Sequence, residues 1–245
     1  MLLRRITQHV KDQNWFAVML DFLIVVVGIL IAFQITNWNE ARSKGAQKEY
    51  YLTRLESDLS ATIAYLSDQK EYVDKALIEI DVFADTLNNL QTPDEKLVAK
   101  THSLFSEAYY ITDFKTFRAT FDDLNANGNL EVLDDEQLIV SLAQLHTDYA
   151  DKSEDSLVNT DWVNGIEVRL TSEFDMLRFD RITAHLFPEA STPQIAQKIR
   201  ASEDLIRRSA ALHYWYNNRI GKDYAEMIAR TQETLTLVQS ELKDR

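Results

Sequence analysis

Histidines are the side chains of this sequence best suited to acid–base chemistry or metal binding, but their spacing supports neither role. The chain has five of them: His9, His102, His146, His185 and His213. On a helix, a histidine shares a metal or a proton with a carboxylate three or four residues away. Among the four beyond residue 100, only His185 has such a neighbour, Glu189, and Pro188 lies between the two and breaks the helix.

Known catalytic sequence motifs also give no indication of an active site. The sequence contains no phosphate-binding glycine loop, no nucleophile elbow and no zinc-protease motif. We therefore predict no catalytic residues, no cofactor and no metal site, and we favour a non-enzymatic protein.

Residues 213–219 (HYWYNNR) form the densest cluster of aromatic and polar side chains. A binding pocket built from His213, Trp215 and Arg219 is one interpretation. The other is a core segment, because Tyr216 continues the apolar spacing of a helix. Both remain open at this point.

Asp21 stands inside a long apolar segment and is the most unusual ionisable residue of the chain. A carboxylate near the centre of a bilayer costs about 2.5 to 3.5 kcal/mol, so it needs a partner, water or a proton. Helical spacing places Asp21 on one face with Val25, Gly28 and Ala32. Small residues four apart favour close helix packing. We predict that this face packs against another helix, or that Asp21 couples to one.

The apolar segment, residues 15–36, has the length of a transmembrane helix. At 1.5 Å per residue it spans about 32 Å, close to the hydrocarbon thickness of a bilayer. Trp15 and Trp38 bracket it as interfacial aromatic residues, and Asn37 and Asn39 add a polar collar. We predict a short cytoplasmic N-terminus at residues 1–14, the membrane helix at 15–36, and a domain outside the membrane at 37–245.

Two stretches resemble a bacterial family of single-pass membrane proteins that is catalogued only as a domain of unknown function. Residues 27–40 (VGILIAFQITNWNE) are similar to the family signature GILIALQINNWNE, and residues 121–138 (FDDLNANGNLEVLDDEQL) are similar to a second, weaker one. The family commonly has Glu where this chain has Asp21. The resemblance implies a bacterial inner-membrane protein and supplies no catalytic residues.

Beyond the membrane segment, the sequence predicts long helices. Apolar residues recur at alternating spacings of three and four from Leu52 to Leu90, which indicates one helix with a narrow seam, with Gly45 as its predicted bend. The seam consists of Leu52, Leu55, Leu59, Thr62, Leu66, Gln69, Val73, Ala76, Ile80, Phe83, Leu87 and Leu90. This spacing is also that of a coiled coil.

A second helix is expected to begin at a capping box formed by Thr92 and Glu95, with Pro93 at the first helical position, and to run to Tyr109. The spacing of Phe114, Phe117, Phe121 and Leu124 predicts a helical face that ends at Gly128.

The third long helix is predicted to begin at Asp134, with Gln137 in the capping-box position, and to run to about Phe179 with a kink at Gly165. Pro188 breaks the chain, and Thr192 and Pro193 begin the last helix. We predict an all-α protein, in which one transmembrane helix precedes an antiparallel bundle of four helical segments.

Composition limits the function classes. The net charge of −13 disfavours nucleic-acid binding, and the absence of cysteine rules out disulfides and thiolate chemistry. The expected partners are the lipid bilayer and either further copies of the chain or another membrane protein. Basic residues flank the membrane segment equally, and the length of the acidic domain favours a bundle outside the cytoplasm. The leading hypothesis is a membrane-anchored scaffold or sensory module. The alternatives are a subunit of a proton-coupled complex that uses Asp21, and a membrane-tethered enzyme.

Overall fold

A computed structural model shows an all-α chain, as predicted. It describes residues 15–109, 111–180 and 182–243, apart from the side chains of residues 15–18 and 21. The α-helices of these ranges are α1 (Trp15–Asn88), α2 (Asp94–Ser103), α3 (Ala119–Ala126), α4 (Glu136–Glu173), α5 (Thr192–Ala201) and α6 (Glu203–Lys243). A π-helix follows α2 at Leu104–Ala108, and 3₁₀ turns lie at Leu130–Leu133, Met176–Phe179 and Ala184–Leu186. No strand occurs in the described ranges.

The chain divides into two compact units, residues 1–50 and 51–245. In the first unit, the described residues form the N-terminal part of α1, and the helix runs without a break through Gly45, where the sequence predicted a bend. Among the described residues, α1 is the one helix long and apolar enough to cross a membrane. Its most apolar window has a mean hydropathy of 1.8, and none of it is buried.

In the second unit, α1 contributes the predicted apolar seam to the core. Its buried members are Leu52, Leu55, Leu59, Thr62, Leu66, Val73, Ala76, Ile80, Phe83 and Leu87. Leu90 was wrongly included, because α1 ends at Asn88 and the Leu90 side chain is 90% exposed. A turn forms there instead, in which Thr92 N donates to Asn89 O at 2.9 Å.

The start of α2 was predicted correctly, but its cap was not. Pro93 occupies the N-cap position, and no side chain caps the helix. The Thr92 hydroxyl donates instead to Thr86 O at 2.9 Å, so it satisfies the end of α1 rather than the beginning of α2. Asp94 and Glu95 in the first turn stabilise α2 through its dipole.

The predicted helical face around Phe114 and Phe117 is wrong. Residues 111–118, here called the crossover segment, are not helical, and α3 begins only at Ala119. Side chains of α1 hold the backbone in place: Thr62 Oγ1 accepts from Phe117 N at 3.0 Å, and Asp58 Oδ2 accepts from Thr120 N at 2.9 Å.

Two tyrosines of α6 hold the crossover segment from its other side. The Tyr216 hydroxyl donates to Thr112 O at 2.9 Å, and the Tyr224 hydroxyl bonds to Thr112 Oγ1 and Asp113 O, each at 2.9 Å. These distant side chains replace the backbone bonds that a helix would have made.

Helix α3 stops at Ala126, and Gly128 forms the predicted turn after it. The φ of Gly128 is +65°, the left-handed conformation that glycine adopts readily. The predicted cap of α4 is off by one residue. Asp135, not Asp134, is the N-cap, and its Oδ1 accepts from Leu138 N at 3.0 Å. Helix α4 continues through Gly165 without a break and ends at Glu173, earlier than the predicted Phe179.

The last helix begins close to the predicted residue but is interrupted. Ser191 N donates to Gln194 Oε1 at 2.9 Å at the start of α5, and Pro193 fits the first turn. A turn at Ser202 then separates α5 from α6.

Cross-element contacts show that the four segments alternate in direction, which confirms the predicted antiparallel bundle. Residues 94–126 run back along α1, and α6 runs back along α4. The pairs that establish this are Glu79 with Lys100, Asp58 with Thr120, Ser141 with Thr234, and Glu167 with His213.

Candidate functional site

The bundle core consists of two apolar clusters that meet at one level. The first cluster ends at Val73 on α1, Val163 on α4 and Tyr216 on α6. The second begins at Ala76 on α1, Leu170 on α4 and Ala210 on α6. Buried polar side chains occupy the level between them.

We call these residues the polar layer: Tyr109, Glu167, Ser209, His213 and Asn217. Ser209, His213 and Asn217 are four residues apart, so α6 presents all three on one face. Tyr109 directly follows the π-helix, a local distortion that often accompanies functional sites. Glu167 comes from the C-terminal part of α4.

His213 lies at the centre of the layer and is fully buried. Its ring stacks on that of Tyr109, with centroids 3.8 Å apart and an angle of 16° between the planes. Nε2 lies 3.2 Å from Glu167 Oε1, without the alignment of a hydrogen bond. An imidazole, a phenol and a carboxylate therefore meet inside the bundle.

Several polar atoms of the layer have no hydrogen-bond partner among the described residues. They are both ring nitrogens of His213 and both amide atoms of Asn217, whereas the hydroxyls of Tyr109 and Ser209 interact with each other. Each buried polar group left without a partner costs about 1 to 3 kcal/mol. The polar layer is therefore an unusual feature of an otherwise apolar helical core.

Burial shifts the pKa of three phenols in the bundle, of which Tyr109 belongs to the polar layer. It raises the pKa of Tyr109, and the Glu167 carboxylate adds to the effect. It also raises the pKa of Tyr224, and that of Tyr149 to about 12.

We therefore expect the protein to lose stability at alkaline pH. In the unfolded chain these phenols ionise near pH 10, whereas the folded protein holds their protons to higher pH. The unfolding free energy should fall above pH 10 by about 1.4 kcal/mol per pH unit for each such tyrosine. Urea unfolding of the wild type and of Tyr149→Phe between pH 8 and about pH 11.5 measures this, and the variant should show the shallower decline. Equal slopes would show that Tyr149 does not contribute.

The predicted pocket residues do not share one site. His213 points into the core, whereas the Trp215 ring lies at the surface and stacks on Trp162 with centroids 6.0 Å apart. Arg219 covers Trp215 at 5.9 Å and forms an ion pair with Asp155 at 3.0 Å. Trp215 and Arg219 thus fasten α6 to α4 on the outside of the bundle.

The predicted membrane-face residues lie on the first part of α1. Val25 and Ala32 are exposed, and no atom lies within 4 Å of a Cβ built on Gly28. The Asp21 and Trp15 side chains lie outside the described residues. Trp38, Asn37 and Asn39 are exposed, and Arg42 contacts the Trp38 ring at 5.8 Å.

The polar layer does not have the features of a metal centre or an open active site. No group of three or more histidines and carboxylates that could hold a metal ion occurs among the described residues. The imidazole of His213 is fully buried at the level where the two apolar clusters meet. The sequence did not predict the polar layer, because its residues come from three separate elements. One signal was present: Ser209, His213 and Asn217 are polar residues four apart on the buried face of α6.

Comparison with known proteins identifies a family but no activity. No curated protein and no solved structure matches the chain significantly. Residues 21–153, more than half of the chain, match the model of a family of unknown function, DUF6090. The matched range includes the apolar part of α1, the crossover segment and the beginning of α4. The chain therefore belongs to the DUF6090 family.

Proposed function

We propose that this protein is a membrane-anchored, non-enzymatic helical interaction module. The observation that carries the proposal is the apolar window of α1, no residue of which is buried in the folded chain. A soluble protein rarely leaves such a surface uncovered, and a bilayer covers it without any further partner. Because α1 is the one helix of this kind among the described residues, the proposed anchor crosses the membrane once.

A second exposed apolar surface supports an interaction role for the bundle. Leu157, Val158, Trp162 and Val168 lie on α4, turned away from its buried residues. The side chains of Trp162 and Val168 are 62% and 69% exposed. Exposed apolar groups of this size often mark contact surfaces between proteins.

We expect Trp162→Ser to weaken association while leaving the fold intact. The Trp162 side chain is 62% exposed and its ring stacks on that of Trp215, so its loss should lower the unfolding free energy by only about 1 kcal/mol. A buried aromatic anchor, by contrast, often contributes more than 2 kcal/mol to an interface. Cross-linking in native membranes compares the variant with Val140→Ser, an equally exposed site elsewhere on α4. Identical cross-linked products for both variants and the wild type would exclude Trp162 from the contact.

The proposed location is the bacterial cytoplasmic membrane, with residues 1–14 inside and the bundle outside the cytoplasm. Long acidic domains cross a membrane largely regardless of their own charge. A reporter fused after Arg245 that is active only outside the cytoplasm is the expected result. Activity restricted to the cytoplasm would reverse the orientation.

Alkaline carbonate extraction tests the anchor itself. Full-length protein should stay in the membrane pellet after the wash and leave it only in detergent, because an inserted helix is held by apolar burial rather than by charge. Release of the chain by carbonate would contradict the proposal.

A second candidate function is a subunit of a proton-coupled membrane complex. It is favoured by Asp21, a carboxylate at the edge of the exposed apolar window. If this candidate is correct, Asp21→Asn should lose the wild-type cellular phenotype while the chain still assembles into its complex. An Asp21→Asn protein with normal function would eliminate this candidate.

A further inference from the structure

A cavity at the C-terminal end of α4 has the composition of a small-molecule site. Its volume is about 310 Å³, at the lower end of the range for ligand pockets. The lining comes from the end of α4, the turns that follow it and α5. It consists of Phe174, Arg178, Phe179, Pro188, Glu189, Ala190, Gln194, Ile195 and Lys198.

The floor of the cavity is apolar. Phe174 and Phe179 are both buried, and their rings stack with centroids 5.6 Å apart and an angle of 8° between the planes. Ile195 of α5 adds an aliphatic wall. Such a surface fits an aromatic or branched aliphatic group of one ligand.

Charges of both signs line the same cavity. Lys198 forms an ion pair with Asp175, so its charge is balanced within the protein. Asp175 reaches this position from a left-handed backbone conformation, with φ +56°, which is uncommon for a residue other than glycine. The cavity lining then holds one further cation, Arg178, and one carboxylate, Glu189.

Arg178 is held in place by two contacts with the chain that follows it. One guanidinium nitrogen donates to Pro188 O at 2.7 Å, and the group lies 5.2 Å from the Phe187 ring centroid. A guanidinium has five N–H donors, and its planar edge suits a carboxylate. Glu189 does not form an ion pair with Arg178, although both line the cavity.

We propose that this cavity binds a small zwitterion with an apolar body, namely a free α-amino acid of the leucine or phenylalanine type. Its carboxylate would face Arg178, its ammonium group Glu189, and its side chain the rings of Phe174 and Phe179. A simple fatty or aromatic acid would leave Glu189 opposed by no positive charge, and a simple amine would leave Arg178 unmatched.

The position of the cavity gives binding a consequence for the bundle. The ligand would connect the end of α4 with α5, and α5 packs against α2 through Ala196 and Ile199 in the second apolar cluster. This inference rests on the proposed function, because it names the signal to which the interaction module responds.

Calorimetric titration of full-length protein in lipid nanodiscs tests the ligand class. The probes are L-phenylalanine and L-leucine, each at up to about 10 mM. N-acetyl-phenylalanine lacks the ammonium group and phenethylamine lacks the carboxylate. We expect both amino acids to bind and each incomplete analogue to bind at least tenfold more weakly. Equal binding of N-acetyl-phenylalanine, or no binding of any probe, would overturn the proposal.

Two variants locate the site. Glu189→Gln should weaken phenylalanine binding about tenfold while leaving the weak binding of N-acetyl-phenylalanine unchanged. Glu233→Gln, an exposed carboxylate on α6, is the matched control and should behave as wild type. Arg178→Lys keeps the charge but loses the planar guanidinium edge, so it should weaken binding less than Arg178→Gln does. Unchanged affinity in Glu189→Gln would place any observed binding elsewhere.

The ligand inference and the proposed membrane anchor are tested by separate experiments. Carbonate extraction reports the anchor, whereas calorimetry reports the cavity. A chain that stays in the membrane but binds no amino acid overturns only the ligand inference.

Discussion

Two arginines in the exposed apolar window of α1, Val25→Arg with Ile29→Arg, are expected to release most of the chain from the membrane. Both side chains are exposed in the folded protein, so the fold of the bundle does not depend on them. Each arginine near the centre of a membrane helix costs about 2.5 to 3.5 kcal/mol, and together they cost about 5 to 7 kcal/mol. Quantitative blotting of the membrane and soluble fractions measures the change.

Matched arginines elsewhere separate this effect from a general one. Ile78 lies on the same helix, and Val140 lies on α4; both are exposed apolar residues of the second unit. Ile78→Arg and Val140→Arg should leave the chain in the membrane fraction. If all three variants partition alike, the window of α1 is not the anchor.

His213→Ala is expected to give the largest loss of stability of any change in the polar layer. The substitution removes a fully buried ring that stacks on Tyr109 at 3.8 Å. Deletion of a buried ring leaves a cavity and costs about 3 kcal/mol. Urea unfolding of the detergent-solubilised protein, followed by circular dichroism, measures the difference.

His213→Leu distinguishes a structural role of the imidazole from a functional one. Leucine has a similar volume and no polar atoms, so it removes two buried nitrogens that have no hydrogen-bond partner among the described residues. The variant should be within about 1 kcal/mol of wild type, or more stable. A loss as large as that of His213→Ala would show that the imidazole makes interactions essential to the fold.

The sequence predicted well those helices whose position depends on residues close together in the chain. The exposed window and buried seam of α1 follow from composition and from a spacing that depends on one helix alone. The turn at Gly128 and the beginning of α5 near Pro193 depend on residues with restricted or unusual backbone preferences. The cap predicted at Asp134 lies one residue later, at Asp135, and Thr92 bonds to the end of α1 instead of capping α2.

The crossover segment was not predictable from its own residues. Phe114, Phe117 and Phe121 have the spacing of a helical face, and nothing nearby forbids a helix. The backbone is instead held by Asp58 and Thr62 from α1 and by tyrosines of α6, which are more than fifty residues away in sequence. Contacts over such separations depend on the tertiary arrangement rather than on local propensity.

Only part of the polar layer could be predicted from the sequence. Ser209, His213 and Asn217 recur every four residues on the buried face of α6, which the sequence shows. Glu167 and Tyr109 join them only because α4 and the π-helix meet α6 at this level. Their register is set by packing along the whole bundle, which the spacing of a single helix does not specify.

The mass of the complex extracted with its native lipids shows whether the protein is a membrane-anchored interaction module. Tagged full-length protein is isolated in polymer-bounded lipid particles, and its mass and protein composition are measured. We expect a lipid-containing complex that holds two or more copies of the 28.4 kDa chain, or the chain together with a second membrane protein. A single copy with no partner, or a chain recovered without lipid, would contradict it.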